Sequence, residues 1–171
     1  MAIALRFLLG LAAAVGIHAA GLALYADMPR LLDPFAVLVI YRALRSNVAP
    51  SAATGSVVGL TQDVFTGGLY GLHGFANTLV AYMVSAVRQR FLIHQPIQVA
   101  VLATLGGTLQ LATLSFLQFS LVTDAEIPHP GFAAAKALIT GILTMLVYVG
   151  ANRFFKWERE WREKRSRRLR L

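Results

Sequence analysis

The run "FLLGLAAAVGIHAAGLALYA", Phe7 to Ala26, holds twenty residues without a charge, and it limits what the chain can become more than any other stretch. A helix of that length rises about 30 Å, the thickness of the hydrocarbon core of a bilayer. Inside hydrocarbon every backbone N–H and C=O must be satisfied internally, which leaves helices or a closed barrel. A barrel strand alternates apolar and polar residues over about ten positions, whereas this run is apolar throughout. Other runs of the same kind follow: 57% of the 171 residues are hydrophobic against 14% charged, and the mean hydropathy is +0.62. Soluble domains of this length are not so apolar. The class is therefore an all-α membrane protein. The first run also exceeds the roughly 7 to 15 apolar residues of a signal peptide, so it reads as a retained helix.

Six spans account for nearly all of the chain. After Phe7 to Ala26 comes "LLDPFAVLVIYRAL", Leu31 to Leu44, which is short, carries Asp33 and Arg42, and has Pro34 placed for a first helical turn. A third run covers Val48 to Phe65 and a fourth Leu69 to Val87, joined by "TGGLYG" as a helical hairpin. The fifth runs from Pro96 to Val122 and the sixth from Phe132 to Gly150. This divides the chain into a six-helix transmembrane domain, 1–152, and a basic amphipathic tail, 153–171.

The distribution of charge orients the spans, because short loops rich in Lys and Arg stay in the cytoplasm. With the N-terminus inside, Arg6, Arg42, Arg45, Arg88, Arg90 and the tail fall on the cytoplasmic side. Asp27, Arg30, Asp33, Asp124 and Glu126 fall outside, so only Arg30 is misplaced. The order is N-in, six helices, C-in. The formal charge of +8 has the same origin: nine of the sixteen Lys and Arg residues lie in the last nineteen positions. There Phe154, Trp157 and Trp161 recur at i, i+3 and i+7 among basic residues that include Arg165, Arg167 and Arg168. This is the pattern of a helix anchored in the headgroup layer and drawn to anionic lipid rather than to nucleic acid.

Small residues recur at four-residue spacing in the first helix (Ala12, Gly16, Ala20) and the third (Ser51, Gly55, Gly59). Such stripes let membrane helices approach closely where lipid supplies no hydrophobic drive. Asp63, about a turn from the outer end of the third helix, faces the negative end of that helix's dipole and needs a partner. Two are in reach by depth: the free N–H groups at the start of the fourth helix, folded back by the glycine turn, and Lys136, the one lysine within a span. On the fifth helix Thr104, Thr108, Ser115 and Gln118 lie within about 80° of one another, a stripe better suited to helix packing than to a ligand cavity. His18, His73, His94 and His129 are scattered over separate segments, and no metal-binding, paired-carboxylate or phosphate-cradling motif occurs. With no cysteine either, the residues point to no enzyme activity and no cofactor.

The short segment ending "VLVIYRAL" and the following "GLTQDVFTGGLYGLHGFANTLVAYMVSAVRQRF" resemble the bacterial rod shape-determining protein family MreD, most specifically in Gly59, Gln62, Asp63, Gly67, Gly68, Leu69, Gly71 and Leu72. The resemblance covers most of the chain. It implies a non-enzymatic inner-membrane component of the cell-wall elongation machinery, bound to the single-span protein MreC and through it to MreB, RodA and a penicillin-binding transpeptidase. It also implies a fold similar to the six-helix substrate-binding subunits of energy-coupling-factor transporters, so the alternative is the membrane subunit of a vitamin-type transporter. Gly55, Gly59, Gln62, Asp63, Gly67, Gly68, Gly71 and Lys136 are the candidate structural or partner-binding residues. Trp157, Trp161, Arg165, Arg167 and Arg168 are the candidates at the membrane interface.

Overall fold

The computed structural model describes residues 2–24, 31–67, 69–91, 93, 95–121 and 129–168, with side chains from residue 4 onward and, in the last helix, as far as 161 except 159. These residues form helices α1 (Ala2–Leu24), α2 (Pro34–Ala43), α3 (Val48–Thr66), α4 (Leu72–Arg90), α5 (Pro96–Leu121) and α6 (Pro130–Arg168). Among the described residues α1, α5 and α6 are long and apolar enough to cross a membrane. The α3–α4 hairpin falls short in apolarity because it buries polar side chains: Ser51, Thr54, Gln62 and Asp63 on α3, Asn77 and Ser85 on α4.

The shortest helix lies at the centre. Asp33 caps α2, its Oδ1 accepting from the Ala36 N–H at 3.0 Å, and Pro34 occupies the first turn, where its missing N–H costs nothing. The ten residues of α2 rise only about 15 Å, half the hydrocarbon thickness, as the short second segment of the sequence implies. This helix is the core: Phe35, Val39, Ile40 and Ala43 have no exposed surface. They pack with Val58 of α3, Val80 and Val84 of α4 and Val99 and Ala103 of α5. On the other side Phe7, Leu11 and Ala14 of α1 join the same cluster, and His18 tilts over Phe35 with ring centroids 5.4 Å apart.

The small residues of α3 bring it against α4. A Cβ built on Gly55 would lie 2.8 Å from the carbonyl carbon of Asn77, and one on Gly59 would lie 2.6 Å from that of His73. The stripe on α1 behaves differently. Ala12 and Ala20 are exposed, and a Cβ on Gly16 would meet nothing within 4 Å. The expected close packing through Ala12, Gly16 and Ala20 therefore does not occur among the described residues, because α1 turns the face bearing Phe7, Leu11 and Ala14 inward.

At its far end α6 continues without a break through the basic tail to Arg168, so the tail is an extension of the last apolar helix. Phe154, Trp157 and Trp161 form an exposed aromatic row along it, Trp157 and Trp161 stacked at 6.5 Å.

Candidate functional site

The polar side chains of α3, α4 and α5 converge on the cap of α2. Gln62 Nε2 donates to both oxygens of Asp33, at 3.3 and 3.2 Å. Asn77 Nδ2 donates to Gln62 Oε1 at 3.0 Å, and Gln110 Nε2 donates to Asn77 Oδ1 at 2.8 Å and to Asp33 Oδ2 at 3.4 Å. The ring closes on the carboxylate where it began. Lys136 of α6 completes it, its Nζ 3.7 Å from Asp33 Oδ2. Asp33, Gln62, Asn77 and Gln110 are each at most 4% exposed, so the ring ties α2, α3, α4, α5 and α6 together in the interior.

The chemistry of the ring is that of mutual saturation. An ionised carboxylate only accepts, and each amide both donates and accepts. In one direction around the ring each amide group donates to the next acceptor, and the lysine charge opposes that of the aspartate. Away from water such bonds are each worth about 0.6 to 2 kcal/mol, and an unmet partner costs more than the bond itself.

Asp63, the residue after Gln62 on α3, points to a different face of the helix and forms a second, separate cluster. Its Oδ2 accepts from the Gly71 N–H at 2.9 Å and the Gly74 N–H at 3.1 Å. Its Oδ1 accepts from the His73 N–H at 3.0 Å and lies 2.9 Å from His73 Nδ1. The carboxylate of one helix thus satisfies the free amides at the start of the next, where the helix dipole favours negative charge. Reaching it requires the chain to reverse within a few residues, and Gly67 and Gly71 do so at φ 65° and φ 98°, conformations that disfavour a Cβ. Of the two partners open to Asp63 from sequence, the structure places the α4 amides on it, whereas Lys136 meets Asp33.

Among the residues singled out from sequence, Gln62 and Lys136 belong to the ring, Asp63, Gly67 and Gly71 to the turn, and Gly55 and Gly59 to the α3–α4 contact. Gly68 lies outside the described residues. Trp157 and Trp161 stand on the exposed extension of α6, and the side chains of Arg165, Arg167 and Arg168 lie outside the described residues. The polar stripe of α5 does not enter the ring: Thr108 bonds the Thr104 carbonyl of its own helix at 2.9 Å. The α5 residue that does is Gln110, about 120° around the helix from that stripe. Asp33, Asn77 and Gln110 were not singled out as site residues by sequence reasoning. The available signal was an amide near the middle of a membrane helix, Asn77 or Gln110, which must find a partner there, and the Asp-Pro pair that marks a capped helix start.

A helical membrane protein whose buried polar groups bond one another, with the small-residue stripe of α1 and the aromatic row of α6 left on the outside, is built as a structural component. The family comparison agrees: the model of the rod shape-determining protein MreD matches residues 1–156, and the chain belongs to that family of membrane proteins that determine cell shape. No curated protein and no solved structure gives a significant match.

Proposed function

We propose that this protein is a non-enzymatic scaffold of the cell-wall elongation complex in the bacterial inner membrane. In this reading it binds an MreC-like single-span protein and through it MreB, RodA and a penicillin-binding transpeptidase, and so contributes to peptidoglycan synthesis. Family membership over residues 1–156 carries the reading. The N-in, C-in orientation is supported by one end of the bundle gathering the basic residues: Arg45 donates to Asn152, Arg6 lies 3.7 Å from Glu158, and Arg88 donates to the Ser46 carbonyl at 3.2 Å. By the positive-inside rule that end is cytoplasmic. Anionic lipid at the basic extension of α6 fits the same orientation.

A transport subunit would need a ligand chamber in the region that the polar ring occupies, and there Gln62, Asn77 and Gln110 are already bonded to one another and to Asp33. The face best suited to another membrane helix is the open stripe of α1, since small residues without an internal neighbour favour helix association. The absence of cysteine from the sequence gives a clean background for crosslinking in cells. A cysteine at Gly16 is expected to crosslink to a single-span partner, and one at lipid-facing Phe116, 70% exposed, is not. Capture of an ATPase-linked transport module in its place, or recovery of a stoichiometric small molecule from the purified protein, would favour the transporter.

A further inference from the structure

Between α1 and α6, over α2, lies a cleft of about 1100 Å³. Its shaft is hydrocarbon, lined by Leu9, Ala13 and Ile17 of α1, Leu38 of α2 and Leu143 and Val147 of α6. At one end the lining changes to Arg6, Arg42, Arg45 and Glu158, which is three cations against one carboxylate. Aromatic rings hold these guanidinium groups in place: Arg6 stands 4.7 Å from the centroid of Phe155, Arg42 5.7 Å from Phe7, and Arg45 5.3 Å from Phe155. Arg6 meets Glu158, and Arg45 donates to Asn152. The Nε–H groups of Arg42 and Arg45 are nevertheless buried with no acceptor among the described residues, so those residues alone do not saturate this cluster.

An occupant must therefore bring apolar length along the shaft and negative charge with free acceptors at the arginine end. We propose that the cleft binds an anionic phospholipid from the leaflet at the basic end of the bundle, its phosphate on the arginine cluster and an acyl chain between α1 and α6. A partner's transmembrane helix fits less well. It would need an acidic side chain at the depth of the arginines, and a charge at that depth is costly for a membrane helix. The site shares Phe155 and Glu158 with the base of the α6 extension but not the arginines at its far end, and it does not depend on the partner reading above.

The test uses the full chain in vesicles containing phosphatidylglycerol that carries a photoactivatable acyl chain, compared with the same label on phosphatidylcholine. Labelling is expected on α1 around Ala13 and on α6 around Val147, at least tenfold stronger from phosphatidylglycerol. The double change R42Q/R45Q should lower it about thirtyfold, the loss expected for two basic residues at a membrane surface. Because those changes also remove contacts to aromatic rings and Asn152, A13F serves as the second variant. It fills the shaft, leaves the arginines in place, and should abolish labelling there without changing the melting temperature. Neutralising Arg165, Arg167 and Arg168 should leave the cleft labelling intact. Equal labelling from both lipids, labelling unchanged in A13F, or loss on neutralising the tail would each overturn the proposal.

Discussion

Replacing Asp33 with leucine is expected to destabilise the folded protein by about 3 to 5 kcal/mol, the usual result of removing one partner from a buried ion pair. The change strips the acceptor from Gln62 and Gln110 and leaves the Lys136 ammonium, only 16% exposed at its side chain, facing apolar neighbours. It also removes the cap of α2, which accounts for about 1 kcal/mol of the loss. Adding K136M to D33L should recover part of the remainder, because no uncompensated charge is then left inside, and the coupling between the two sites should be about 1 to 3 kcal/mol. The cycle built on Asp63 and Lys136 should show no such coupling, since Asp63 is bonded to the amides of Gly71, His73 and Gly74. Unfolding of the purified variants in mixed detergent micelles measures both cycles. Coupling of Lys136 to Asp63 rather than to Asp33 would contradict the assigned pair.

Gly59→Ala should destabilise the hairpin, and Gly59→Leu should do so by about 3 kcal/mol or more, at or beyond the upper end of overpacking costs. The direction is informative, because alanine in place of glycine inside a helix ordinarily gains about 1 kcal/mol. At Gly59 the new Cβ meets backbone atoms, including Gly74 Cα at 2.7 Å, which can yield only if α3 and α4 separate. That separation also breaks the Gln62–Asn77 and Asp63–His73 bonds across the same interface. Gly16→Ala on α1, with nothing within 4 Å of the new Cβ, should follow the ordinary trend. Opposite signs at the two positions, read from the same unfolding measurement, are the expected outcome. A gain in stability at both would show that the α3–α4 approach is looser than the structure has it.

Long apolar runs made α1, α5 and α6 legible from sequence, and the glycine turn made the hairpin legible. The α4 amides were among the partners open to Asp63 because donor and acceptor are only eight to eleven residues apart, within one turn of chain. The ring was not legible. It is assembled from single residues on separate helices, with Gln110 and Asp33 77 positions apart, and helical periodicity says which face a residue shares but not which helix that face meets. Hydropathy also hid the rank of α2: its charges and short length suggest a marginal span, yet a helix surrounded by other helices needs no length to span lipid. The small-residue stripes illustrate the same limit, since nearly identical spacing packs internally on α3 and stays open on α1.

If the polar ring is architecture alone, its members can be replaced together by apolar residues, as buried charge networks often can at little cost or with a gain in stability. The chain carrying D33L, Q62L, N77L, Q110L and K136M, expressed in rod-shaped cells depleted of the native protein, measures this most directly. The scaffold reading predicts that the substituted protein reaches the membrane at the native level, retains its single-span partner and maintains rods. Normal membrane levels and partner retention accompanied by rounded cells would mean that the ring performs chemistry or carries a ligand, and would contradict it.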